Sequence, residues 1–400
     1  MSSPPASLRA YRLTSIDMLR GLVLVIMVLD HVRDYFMSGA VQNPMTDPNV
    51  DPALFATRWI THFCAPVFVL LAGTSAGLMA DRKTPRELGG FLLKRGLWLI
   101  FIEWFVISTG FSFAPLGLPQ ADGQIFVPLQ VIWAIGASMV VLAGAQFLGA
   151  RACLLIGAVI VVGHNALDPI WPVSHGGELG HPLWVAAHAQ MAIDAGPYRI
   201  ALAYPLLPWI GVMLCGFGIA GVFRLAPERR DAMLLRSGFA LTLAFVVLRA
   251  IAVYGDPHPW QGPTGQIERT MMSFLNTEKY PPSLLYLLMT LGPAAILCSF
   301  AERFDGPLKR VLVMFGTVPF AFYVAHLYLI HLLSIGLGVA QGFDVHAFLT
   351  LGRYYPKTGY GLPLAGVYVV WAIVVVLLYP LCRWMAGVKA RRKDWWLSYL

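Results

Sequence analysis

The chain is 400 residues long, 58% hydrophobic and only 12% charged, which leaves too little polar surface to cover a water-soluble globule. Its net charge is +8, yet the basic residues fall in short clusters between apolar runs and no basic, aromatic groove motif accompanies them, so nucleic-acid binding is set aside. What remains is an all-α, polytopic integral membrane protein.

Taken in chain order, ten runs reach the roughly 20 residues that a helix needs to cross a bilayer. They lie at roughly 16–36, 60–80, 92–113, 125–148, 150–167, 199–223, 232–254, 281–302, 311–340 and 362–387. The ninth is long enough to tilt, bend or break. Nothing divides the runs into separate units, so residues 1–400 read as one transmembrane domain. Its flanks are an N-terminal segment at 1–15 and a basic tail at 388–400. The first apolar run follows a short polar stretch without a small-residue cleavage site and reads as a retained signal-anchor helix. With ten spans, 21 of the 29 basic residues collect on one side, which predicts that both termini are cytoplasmic. The loops of the opposite side, about 37–59, 168–198, 255–280 and 341–361, are longer and rich in Pro, Gly, Trp and His.

The first run carries ionisable residues at both ends and none between. At 100° per residue, Asp17, Arg20, His31 and Asp34 fall within an arc of about 100°, with Arg33 on the other side. Arg20 and His31 stand roughly 16 Å apart along the axis, about half the hydrocarbon thickness. Ionisable residues inside a membrane are functional candidates, and a histidine near a carboxylate is a usual general base. His31 is therefore the expected base, with Asp30 or Asp34 to orient it.

Further along, His62 stands at the outer end of the second run, and Gly73 and Gly77 give it small-residue spacing for a close helix neighbour. Arg249 lies near the outer end of the seventh run, where Asp34 or Asp30 would be a sensible partner. Asn276 and Lys279 stand before Pro281 and Pro282 at the entry to the eighth run. In the ninth, His326 lies mid-membrane and shares a face with Tyr323, while His331 is turned about 140° away. The outer-loop histidines His164, His175, His181, His188 and His258 form no HxxxH or HExxH, so no metal is expected. Five cysteines, without a CxxC pair and odd in number, imply neither a disulfide framework nor zinc.

The stretch YRLTSIDMLRGLVLVIMVLDH, with Arg12, Asp17, Arg20, Gly21 and His31, resembles the first helix of the membrane acyltransferase superfamily. That group includes bacterial sugar O-acyltransferases and the heparan-α-glucosaminide N-acetyltransferase family. FCAPVFVLLAGTSAG at 63–77 is similar to the second helix of the latter, with Pro66, Phe68, Gly73 and Ser75 in matching places. NTEKYPPSLLYLLMTLGP at 276–293 and FGTVPFAFYVAHLYLIH at 315–331 resemble stretches of its bacterial members. The lysosomal type places its histidine in the first lumenal loop ahead of Trp-Asn-Gly, which this chain lacks. His31 and His62 are both counterparts in position, and the sugar O-acyltransferase pattern favours His31.

The resemblance implies an acyltransferase of a bacterial inner membrane. It would move an acyl group, acetyl above all, from cytosolic acyl-CoA to a hydroxyl or amine of a sugar or glycan acceptor on the outer side. Arg12, Arg20, Lys94 and Arg95 would receive the CoA phosphates. His31, Asp30, Asp34 and His326 are the catalytic candidates. Arg33, His62, Arg249, Asn276, Lys279 and His331 are the substrate-binding ones, with membrane lipid as the surrounding partner. A proton-coupled transporter is the rival reading, because helices with intramembrane His and Asp suit a proton path.

Overall fold

A computed structural model describes the chain apart from residues 1–13, 40–43, 48, 117, 118, 120–122, 170–181, 261, 264, 351–357, 393, 395, 396 and 398–400. It is an all-α membrane fold in which every apolar run carries a helix. α1 (Thr14–Phe36) is followed by α2 (Pro52–Thr61) and α3 (Cys64–Met79). α4 (Pro85–Ile102) passes through one π-helical segment, Glu103–Ile107, into α5 (Ser108–Ser112). After the strand β1 (Ile125–Leu129) come α6 (Val131–Ala145), α7 (Ala150–Gly163) and the short α8 (Pro182–His188). A hairpin of β2 (Met191–Ala195) and β3 (Tyr198–Leu202) leads into α9 (Leu206–Ile219) and α10 (Pro227–Ile251). The rest is α11 (Ile267–Leu275), α12 (Leu284–Phe300), α13 (Pro307–Thr317), α14 (Pro319–Ala340), α15 (Val345–Thr350) and α16 (Leu364–Arg391).

Among the described residues, seven helical stretches are long and apolar enough to span a membrane. α1 fails that compositional test because its ends are charged, and α12 because it is short. Burial sorts the helices by position. α2 and α3 together are 61% buried over their most apolar window, whereas α7, α10 and α16 are at 22%, 22% and 17%. The exposed Leu155, Val159, Leu243 and Val376 of those three face outward, as lipid-facing side chains do.

Two expected helix starts are strands instead. Residues 125–129, IFVPL, are β-branched and aromatic and carry a proline that a helix interior would not accept. β1 runs parallel to β3, with Ile125 opposite Tyr198. β2 pairs antiparallel to β3 through a two-residue turn whose Gly196 has φ of 61°. The sheet packs on Ala114, Val185 and Ala189 in a core of its own. It thereby fixes the entrances of α6 and α9.

The ninth run breaks at Val318, where φ −129° and ψ 49° leave the helical region and Pro319 opens α14. α13 therefore packs across the start of α1 rather than extending α14. A Cβ at Gly21 would meet the Leu312 carbonyl, and one at Gly316 would meet the Asp17 carbonyl. Backbone lies on backbone there. Gly316→Ala is expected to destabilise the protein by about 1–3 kcal/mol, an ordinary overpacking cost. Thermal unfolding in detergent measures it, and an unchanged midpoint would disprove the contact.

Candidate functional site

α1 enters the molecule with its first turn held from outside. The Glu302 carboxylate accepts from Thr14 Oγ1 at 2.6 Å and from the Ser15 backbone N–H at 2.8 Å, satisfying donors that a helix start leaves open. One turn on, Arg20 donates to Asp17 at 3.2 Å, to the Gly316 carbonyl at 3.3 Å and to Ser75 Oγ at 3.0 Å. Asp17 and Arg20 line a cavity of about 500 Å³ between α1, α3, α4, α6 and the start of α14. Its walls are apolar apart from that end, where Arg95 and Lys389 join Arg20. Arg95 lies over the Phe320 ring at 5.8 Å and Lys389 donates to the Thr317 carbonyl at 3.2 Å.

The far end of this cavity reaches Phe68, Val131 and Tyr323. The same three residues also line a second, narrow space of about 30 Å³ that holds His31, Asp30 and Lys279. The two spaces thus share a wall at Tyr323.

His31 and His326 are both buried, and His31 Nδ1 lies 2.7 Å from His326 Nε2. His326 Nδ1 is 3.2 Å from the Phe322 carbonyl. A carbonyl only accepts, so His326 carries its proton on Nδ1 and offers the lone pair of Nε2. His31 must then donate from Nδ1, which leaves Nε2 as its basic nitrogen. The sequence points to a carboxylate as the orienting partner; the structure adds a hydrogen bond to a second histidine.

Asp30 and Asp34 are engaged by guanidinium groups. Arg58 Nη1 donates to both Asp30 oxygens at 2.6 and 2.5 Å, Thr61 adds a bond at 3.0 Å, and Arg33 stands at 3.2 Å. Asp34 takes Arg33 at 2.5 Å. Lys279 is buried beside this cluster, over the Tyr280 ring at 5.1 Å, and forms no ion pair among the described residues. Of these five charged groups, Asp30 and Lys279 line the space that holds His31.

The remaining candidates have other neighbours. Arg249 donates to the carbonyls of Phe274, His258, Ser273 and Asn276, at 3.0, 2.8, 3.0 and 2.5 Å. Its acidic neighbour is Asp256 at 3.8 Å, not Asp30 or Asp34. Asn276 donates to the Met45 carbonyl at 2.8 Å. Together these fix the loops at 44–51 and 255–280. In that layer burial pushes the Asp256 carboxyl up, while the bond to Glu278 pushes the His258 imidazole up. His62 closes α2 with its ring against Tyr286, and its carbonyl accepts the Tyr286 hydroxyl at 2.7 Å. His331 Nδ1 meets the Gly110 carbonyl at 2.8 Å. Neither His62 nor His331 lines the two spaces. Lys94 is exposed and off the cavity, and Arg12 lies outside the described residues. Among the described residues, no three His, Cys, Asp or Glu side chains gather to hold a metal ion.

Three contributors carry little signal in the sequence. Arg58 stands just before the second apolar run, within a stretch that reads as loop. Lys389 reads only as a topology charge of the tail. Glu103, a lone carboxylate in an apolar run, accepts from the backbone N–H groups of Gln130 at 2.7 Å and Trp133 at 3.1 Å. It caps α6 and so positions Val131 and Gln130, both of which line the narrow space. A lone acid among apolar residues is the signal available for it.

Residues 12–254 match the family model heparan-alpha-glucosaminide N-acetyltransferase, catalytic. That is more than half of the chain and points to a membrane acetyltransferase. The match spans His31, Arg58 and Arg95, and ends before Lys279, Tyr323, His326 and Lys389. No curated protein matches the chain.

Proposed function

The chain belongs to the heparan-alpha-glucosaminide N-acetyltransferase family, and from that premise we propose that it transfers an acetyl group from acetyl-CoA to a hydroxyl or amine of a sugar acceptor, with His31 as general base. The observation that carries this reading is the apolar cavity with Arg20, Arg95 and Lys389 at one end and Tyr323, beside His31, at the other. Its volume of about 500 Å³ is that of an ordinary small-molecule site. Cations gathered at one mouth suit a ligand with phosphates at one end and a slender uncharged arm. A proton path has no use for such a mouth.

In this reading Arg20, Arg95 and Lys389 hold the phosphates on the cytoplasmic side. The apolar walls take the pantetheine arm and bring the thioester to the narrow space. The acceptor enters from the outer side and its polar groups meet Lys279. His31 Nε2 removes the acceptor's proton as its oxygen or nitrogen bonds to the thioester carbon. The same proton then passes from His31 to the sulfur as the carbon–sulfur bond breaks. His326 holds the His31 ring in the tautomer this requires. Arg33 and Arg58 act at one remove, by holding Asp30 and Asp34 in place.

Calorimetry of acetyl-CoA with the detergent-purified protein tests the donor site. Saturable binding is expected, and Arg20→Ala or Lys389→Ala should weaken it by about 10- to 100-fold, the worth of one charge-assisted hydrogen bond. Lys94→Ala, off the cavity, should leave it unchanged. Absence of binding by folded wild-type protein would overturn the reading, as would equal losses for Lys94 and Arg20.

A further inference from the structure

We propose that Tyr323 is a further catalytic residue, its hydroxyl donating a hydrogen bond to the thioester oxygen as that oxygen gains negative charge. This rests on the acetyl-transfer reading above and assigns a group to a task that His31 cannot perform, since its basic nitrogen must face the acceptor.

Tyr323 is buried on α14, and it lines both the large cavity and the narrow space. Its ring stands edge-on to His31, with centroids 6.4 Å apart, and to His326, at 5.2 Å. One helical turn separates it from His326, so both side chains leave α14 on the same face. The tyrosine oxygen is fully shielded and meets no hydrogen-bond partner among the described residues. That is costly, because a buried hydroxyl gives up its water and here receives nothing in exchange. Buried tyrosines ordinarily find a partner. A buried tyrosine that lines both spaces and whose donor is unpaired is therefore set for a ligand atom arriving there.

The reading above delivers one such atom. A thioester entering along the large cavity brings its carbonyl to the shared wall, and the acceptor approaches from the side of His31. When the acceptor's oxygen or nitrogen bonds to the carbonyl carbon, the carbonyl electron pair moves onto oxygen. The Tyr323 O–H stabilises that charge and keeps its own proton. On collapse the pair returns, the carbon–sulfur bond breaks, and the sulfur takes the proton held by His31. Nothing beyond donor and acceptor is consumed.

Tyr323→Phe removes the oxygen and little else, and three readouts separate catalysis from structure. First, the variant should unfold at a temperature equal to or higher than wild type, since an unsatisfied polar group is lost; a hydroxyl with a structural partner would give a lower one. Second, with acetyl-CoA labelled with ¹³C at the carbonyl, the infrared band of the bound thioester should lie at lower frequency in wild type than in the variant, with affinities within about threefold. Third, thiol release from acetyl-CoA with D-glucosamine as probe acceptor should fall by about 100-fold in kcat, as on loss of one oxyanion donor, with KM for acetyl-CoA nearly unchanged. Identical carbonyl bands in the two proteins would overturn the proposal while leaving the acetyl-transfer reading intact. Wild-type protein that binds no acetyl-CoA would sink that reading, and this one with it.

Discussion

Replacing His31 with alanine is expected to lower the rate of acetyl transfer by about 10²- to 10⁴-fold, the usual contribution of a positioned general base, while acetyl-CoA affinity stays within a few-fold of wild type. The separation follows from the layout. His31 lines the narrow space and not the large cavity, and the cations at the mouth line the large cavity and not the narrow space. His326 supplies the control, because its Nε2 accepts from His31 Nδ1 at 2.7 Å. The His326→Gln variant offers an amide oxygen in roughly that place and should retain more activity than His326→Ala, which leaves the His31 ring unoriented. Single-turnover rates with titrated acetyl-CoA measure both quantities. A His31→Ala protein with near-normal turnover would remove the imidazole from the mechanism.

The second large effect concerns stability. Arg58→Met should destabilise the fold by about 3–5 kcal/mol, because it strands the buried Asp30 carboxylate without its strongest partner. Arg58 and Asp30 are both largely shielded, with side-chain exposures of 9% and 13%, so water cannot take over the lost bonds. Arg33 at 3.2 Å and Thr61 at 3.0 Å remain, and they favour the lower end of that range. Pairing the change with Asp30→Asn should recover a large part, since the stranded charge disappears along with its partner. Unfolding of the single and double variants in detergent, followed by tryptophan fluorescence, provides the comparison. If the double variant is no more stable than Arg58→Met alone, the ion pair is not the source of the loss.

The helical architecture is legible in the sequence because length and hydropathy report directly on a bilayer's thickness. The polar stripe on α1 is legible for a similar reason: Asp17, Arg20 and His31 share an arc at helical spacing, and all three line the cavities. Partnerships between helices are not. Nothing local in the sequence pairs Asp30 with Arg58 rather than Arg249, because that choice depends on how α2 returns against α1. Arg249 illustrates the reverse failure. Its expected carboxylate neighbour is on α1, whereas four carbonyls between His258 and Asn276 absorb its donors. The strands at 125–129 and 198–202 are hidden inside apolar runs, where a short buried strand and the start of a helix have the same composition. The break at Val318 is carried by a single residue, Pro319, within a run whose hydropathy never falters.

The narrowness of the second space has a further consequence, for the electrical insulation of the membrane. The narrow space offers water about 30 Å³, against about 500 Å³ in the large cavity, and its wall includes Asp30 and Lys279 beside His31. A space that small holds isolated waters rather than a wide aqueous channel, the usual conduit for ions. The large cavity can therefore fill with solvent from one side without short-circuiting the transmembrane potential. Only a group small enough to be handed across at the shared wall, rather than a solute that must pass through it, changes sides.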